Sequence, residues 1–155
     1  MSTKSFTINL PIITGDQDRR RLRKSFSFGC NLQNAVMGGG WDRVLKMRAT
    51  AEWQTARAMP KSSESTKAFR DLRVRFRLSE YDFHADVAKH RKASGRGHLL
   101  GINECQKLAS RAWISVERHL YNGGSPRFIS SRRGLHSIEG KTNRTGIIWK
   151  ADQQC

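Results

Sequence analysis

Residues 126–150, PRFISSRRGLHSIEGKTNRTGIIWK, decide the fold class. Short apolar runs at Phe128-Ile129, Leu135 to Ile138 and Ile147 to Trp149 are separated by Gly and polar residues, which is the pattern of short strands in a small sheet or barrel. A strand needs a partner, and the other end of the chain offers one. Residues 3–13, TKSFTINLPII, are rich in Phe, Ile and Thr and alternate enough to read as a strand ending at Pro11 or just beyond. Pairing the two ends predicts an α+β fold in which a helical bundle is inserted between an N-terminal strand and C-terminal strands of a partial β-barrel. The chain then divides at 1–14, 15–124 and 125–155.

Between the expected strands the spacing is helical. Asp16 caps a first helix with apolar positions at Leu22, Phe26, Cys30 and Leu32 to Val36, and Gly38-Gly39-Gly40 reads as the turn that ends it. Arg19, Arg20, Arg21, Arg23 and Lys24 crowd its first half. Positive charge there opposes the helix dipole and is only partly offset by Asp16 and Asp18, so the cluster serves either a ligand or a solvated flank. A second helix runs from Trp41 to about Met59, where Pro60 stops it. After the polar stretch KSSEST (61–66), residues 67–78, KAFRDLRVRFRL, fit a helix through Phe69, Leu72 and Phe76 and a strand through Val74, Phe76 and Leu78. Helix is preferred because Ala68 and Asp71 lack strand propensity. Ser79 with Asp82 caps the next helix, which Tyr81, Phe83 and Val87 carry to about Ala93. A loop over 94–101 precedes the clearest amphipathic pattern, Cys105, Leu108, Ala109, Ala112, Trp113, Val116 and Leu120, ending at Gly123-Gly124.

The chain has 155 residues with 29 Lys plus Arg against 13 Asp plus Glu, a net charge of +16. Such an excess makes a folded state repel itself, and a polyanion that sheds counterions on binding compensates. Nineteen of the basic residues are Arg, whose planar fork suits phosphate and base edges. Nucleic acid is therefore the expected partner. No membrane partner is expected, since the longest uncharged run, Ser25 to Trp41, carries Asn31, Gln33, Asn34 and three glycines, and no secretory signal is evident, which places the protein in the cytoplasm. Cys30, Cys105 and Cys155 form no C-x-x-C pair, and the five histidines show no i, i+4 pair, so no metal site and no cofactor are expected. The acids are scattered and no G-x-S-x-G elbow exists, so no catalytic residue is assigned. Trp41, Trp53 and Trp113 read as core, and Trp149 as the more exposed ring.

Three segments resemble the N-terminal half of TnpB proteins, the insertion-sequence proteins often described as transposases and related to type V CRISPR effectors. They are RLRKSFSFGCNLQNAV, KMRATAEWQTARAMPKSSESTKAFRDLRVRFRLSEYDFH and INECQKLASRAWISVERHLYNGGSPRFISSRRGLHSIEGKTNRTGI, spread over roughly residues 3 to 150. The most specific parts are LSEYDFH, the QKLASRAW helix leading to GGSPRF, and LHSIEGKTNRTG. The resemblance implies that the terminal strands form a wedge barrel and the helices a recognition lobe. It further implies RNA-guided DNA cleavage by the full-length protein, performed by a RuvC-like domain with an acidic triad and accompanied by a zinc ribbon. Neither has a counterpart here, so the resemblance makes this chain the binding portion of a truncated or split reading frame, with guide RNA, target DNA and a separately encoded RuvC-like half as partners.

A wedge and lobe of this kind hold RNA or a heteroduplex by its backbone. The residues expected to do so are Arg73, Arg75, Arg77, Lys89 and Arg91 in the lobe, and Lys4, Arg127, Arg132, Arg133, Lys141 and Arg144 in the wedge. Ser130, Ser131 and Asn143 are expected to hydrogen-bond phosphate or base edges. The competing readings are a basic structural RNA-binding protein unrelated to transposition, and a remnant or regulatory product of a mobile element.

Overall fold

The structure, a computed structural model, describes residues 13–140. The expected strand over 3–13 and the apolar run at Ile147 to Trp149 lie almost wholly outside them. Within the described residues the fold is all-helical, with no strand, and this corrects the expected α+β barrel. Five helices follow one another: α1 (Asp16–Arg48), α2 (Ala51–Ala58), α3 (Ser63–Arg75), α4 (Glu80–Ala93) and α5 (Ile102–Glu117). Helices α1, α4 and α5 pack together as the central layer, and α2 and α3 form a hairpin attached to it.

The core follows from the spacing of apolar residues. All seven positions expected on α5 and just beyond it are buried, and they meet Phe28, Leu32, Val36, Met37, Val44 and Met47 of α1 and Phe83 and Val87 of α4. Helix α5 itself stops at Glu117, before the Gly123-Gly124 expected to end it. There Arg48 donates to the carbonyls of His119, Leu120 and Asn122, meeting acceptors left open beyond the end of α5.

Helix α1 does not stop at Gly38-Gly39-Gly40 but runs through it to Arg48. Each glycine costs an isolated helix roughly 1 kcal/mol relative to Ala. Gly40 recovers this through packing: a Cβ there would overlap the Cζ edge of the Phe83 ring, so the missing side chain is what lets α4 approach α1. The break comes instead at Ala49-Thr50, where the Thr50 hydroxyl accepts from the Trp53 N–H at 3.3 Å and starts α2.

The ambiguous residues 67–78 are helical up to Arg75, and their exit is a Schellman turn. The Arg77 N–H bonds the Val74 carbonyl (3.1 Å) and the Leu78 N–H the Arg73 carbonyl (2.9 Å), which leaves Arg77 at φ 53° and Leu78 fully buried. Ser79 then caps α4 by accepting from the Asp82 N–H. Ser62 and Ser65 cap α3 reciprocally, so part of the stretch read as a linker is the helix start.

Residues 126–140 are a strap laid over α1 and α5 rather than returning wedge strands. The Asn34 amide of α1 takes the place a neighbouring strand would hold: it donates to the Ile129 carbonyl at 2.8 Å and accepts from the Ile129 N–H at 3.0 Å. Arg111 of α5 holds the far end through the Ser137 carbonyl (2.8 Å) and Glu139. Leu135 and Ile138 pack on the core, so the apolar spots in the strap are anchors against helices.

Candidate nucleic-acid interface

Two groups of cations have opposite surroundings. At the end of α3 and just after it, Arg73, Arg75 and Arg77 are each committed to the fold. Arg73 donates to the Leu78 carbonyl (3.3 Å), faces Glu117 (3.8 Å) and lies over the Trp113 ring. Arg75 pairs with Glu52 (3.0 Å). Arg77 reaches Asp82 (3.3 Å) and Asp86 (3.6 Å), and Asp86 in turn holds Arg43 at 2.6 Å, with Arg43 set over the Phe83 ring. Arg91, also expected to bind nucleic acid, instead closes the 94–101 loop by donating to the carbonyls of Leu100 (3.0 Å) and Gly97 (2.5 Å). Among the lobe residues read from sequence, Lys89 alone is exposed without an ion pair or hydrogen bond among the described residues.

The start of α1 is different. Arg20, Arg21, Arg23 and Lys24 are exposed and have no acidic partner among the described residues; Arg19 has a 3.9 Å contact with Asp16, itself exposed. The loop between α4 and α5 brings Arg96 and His98 alongside. Arg23, Lys24, Arg96 and His98 line a cleft of about 520 Å³, and Arg20, Arg21, Lys24 and His98 line its neighbour of about 720 Å³. Ser25 ties loop to helix through a 2.9 Å bond to the Leu99 carbonyl. The N-cap is Gly15 with no side-chain bond to the first turn, so the exposed N–H groups of that turn add to the positive end of the helix.

The strap extends this face. Arg23 shares a small cleft with Ser131 and Gly134. Farther along, Arg127, Ser130 and Arg133 line a cleft of about 710 Å³ together with Arg111, His136 and Ser137. Arg132 stands exposed in the same turn, which Gly134 closes at φ 66° with its N–H on the Ser130 carbonyl (2.9 Å). The structure thus gathers Arg127, Ser130, Ser131, Arg132 and Arg133, as the sequence reading grouped them. Lys4, Lys141, Asn143 and Arg144 lie outside the described residues.

The named set omitted Arg20, Arg21, Arg23, Lys24 and Arg96. The signal was present for α1, as cations massed where a helix dipole disfavours them. For Arg96 there was none, because its proximity to α1 is a tertiary fact.

No group of three His, Cys, Asp or Glu among the described residues is placed to hold a metal. Cys30 and Cys105 are buried free thiols, and burial raises the Cys105 pKa to about 11, keeping it protonated at neutral pH. No helix among the described residues is long and apolar enough to cross a membrane. No family model, curated protein or solved structure matches the chain.

Proposed function

We propose that this protein binds nucleic acid through its phosphate backbone, using a basic face that runs from the start of α1 past the α4–α5 loop to the strap. One observation carries the reading: Arg20, Arg21, Arg23, Lys24 and Arg96 stand together with no acid to neutralise them among the described residues. A fold that spends acids on Arg43, Arg73, Arg75 and Arg77 but brings none to Arg20, Arg21, Arg23, Lys24 or Arg96 leaves their charge for an outside polyanion. Backbone contact favours shape over sequence, which suits structured RNA or an RNA–DNA heteroduplex. The resemblance to the N-terminal half of TnpB proteins supports the same partners, guide RNA and target DNA, with the chain serving as a binding portion that does not cut. Its helices are the part such a reading uses.

The test is a salt titration of RNA affinity for the full chain. The logarithm of the binding constant should fall linearly with the logarithm of salt concentration, with a slope set by the number of phosphates contacted. Replacing Arg20, Arg21 and Lys24 by Gln should reduce that slope by about 3, roughly one per lost contact. A slope unaffected by the triple replacement removes this face from the interface. Nuclease activity of the isolated chain with magnesium would overturn the non-cutting reading.

A further inference from the structure

A second cleft, on the α2–α3 hairpin, has a different character. Its volume is about 860 Å³, within the ~300–1,000 Å³ that small ligands occupy. Trp53 of α2, Phe69 of α3 and Tyr121 beyond α5 line it. Trp53 is buried and nearly parallel to Tyr121, with 13° between planes and 5.9 Å between centroids, while Phe69 meets each ring edge-on at 5.3 Å. Tyr121 is 44% exposed, so this stack ends on a ring that solvent reaches. Arg57 and Arg70, both exposed and without an acidic partner among the described residues, stand on the rim.

A flat ring stack calls for a flat aromatic ligand, and an arginine rim calls for an anion. A nucleotide has both, and only an unpaired one can present its face, because a base inside a duplex is already stacked on two neighbours. We propose that this cleft takes one unpaired nucleobase of a single-stranded stretch, stacked on Tyr121, with Arg57 and Arg70 on the flanking phosphates. This rests on the nucleic-acid reading above and adds to it a site for single strands, separate from the basic face.

The experiment compares three probes on the full chain at fixed salt: a single-stranded RNA, a strand of the same length built from abasic units, and a blunt duplex. The normal strand should bind at least about tenfold more tightly than the abasic one, the scale of one aromatic–base stack. Tyr121→Ala should remove that advantage while duplex affinity changes less than about twofold, and Tyr121→Phe should restore it. Equal affinity for normal and abasic strands overturns the proposal, and this comparison needs no variant to fold. Duplex binding that persists without the single-strand advantage sinks the cleft and leaves the basic face standing; no binding to any probe sinks both. A fall in melting temperature for Tyr121→Ala with unchanged affinity would show that the ring serves the fold alone, which also overturns it.

Discussion

Residues 19–24, RRRLRK, and residues 73–77, RVRFR, look alike as sequence, yet their cations have opposite fates. Those of residues 73–77 face Glu52, Asp82, Asp86 and Glu117, and Arg73 and Arg75 also lie on aromatic rings, so their charge is consumed inside the molecule. Those at the start of α1 meet open clefts and another cation, Arg96. A count of positive residues therefore says little about an interface until the acids are placed. What separates a binding cation from a structural one here is whether a distant carboxylate arrives beside it.

The sharpest way to break this contrast is to remove a shared acid. Asp86 is mostly buried and holds both Arg43 and Arg77, and two nitrogens of Arg43 are buried with no other partner. Asp86→Ala should lower unfolding stability by about 2–4 kcal/mol in a urea titration, because it strands a charge away from water. Replacing Arg73, Arg75 and Arg77 together by Gln comes next. It should destabilise the fold yet shift the salt slope of RNA binding by less than about one, against the drop of about three expected from the α1 replacements. A large slope change would place α3 in the interface after all.

Smaller effects sharpen the picture. Arg75 and Glu52 are both well exposed, so Arg75→Ala alone should change stability by no more than about 0.5 kcal/mol. The Glu52 carboxylate is held below its ordinary pKa, first by its own backbone N–H and then by Arg75. A lowered carboxylate pKa contributes stability above the unfolded value of about 4.3, and that contribution is lost as pH falls through the folded value. Arg75→Ala should therefore lower stability slightly at neutral pH, with the difference fading as pH falls through the folded Glu52 value, which flattens the acid limb of the stability–pH curve. At the other end, the Cys105 pKa is raised to about 11, so its stabilising effect is full below the unfolded value of about 8.5 and declines as pH rises through 11. Its thiol should resist a thiol reagent at neutral pH and react only once the chain unfolds.

Sequence spacing carried the helices well wherever a local signal existed. The α5 stripe was legible because its apolar period is clean, and the α4 start because Ser79 and Asp82 form a cap within four residues. Gly38-Gly39-Gly40 misled because the compensation at Gly40 comes from Phe83, a residue on another helix. The strap misled for the same reason: backbone groups that a neighbouring strand would pair, at Ile129 and Ser137, are met by Asn34 and Arg111 side chains that no local pattern reveals. For the site, excess charge and the crowding at α1 could be read directly. The neutralisation of Arg73, Arg75 and Arg77 could not, since Glu52, Asp86 and Glu117 reach them only through packing.

Arginine modification by phenylglyoxal, mapped by mass spectrometry with and without bound RNA, tests the central claim most directly. RNA should protect Arg20, Arg21, Arg23 and Arg96, while Arg75, 62% exposed at its side chain, keeps its reactivity. Protection of Arg75 and Arg77 with the α1 arginines still reactive would contradict it.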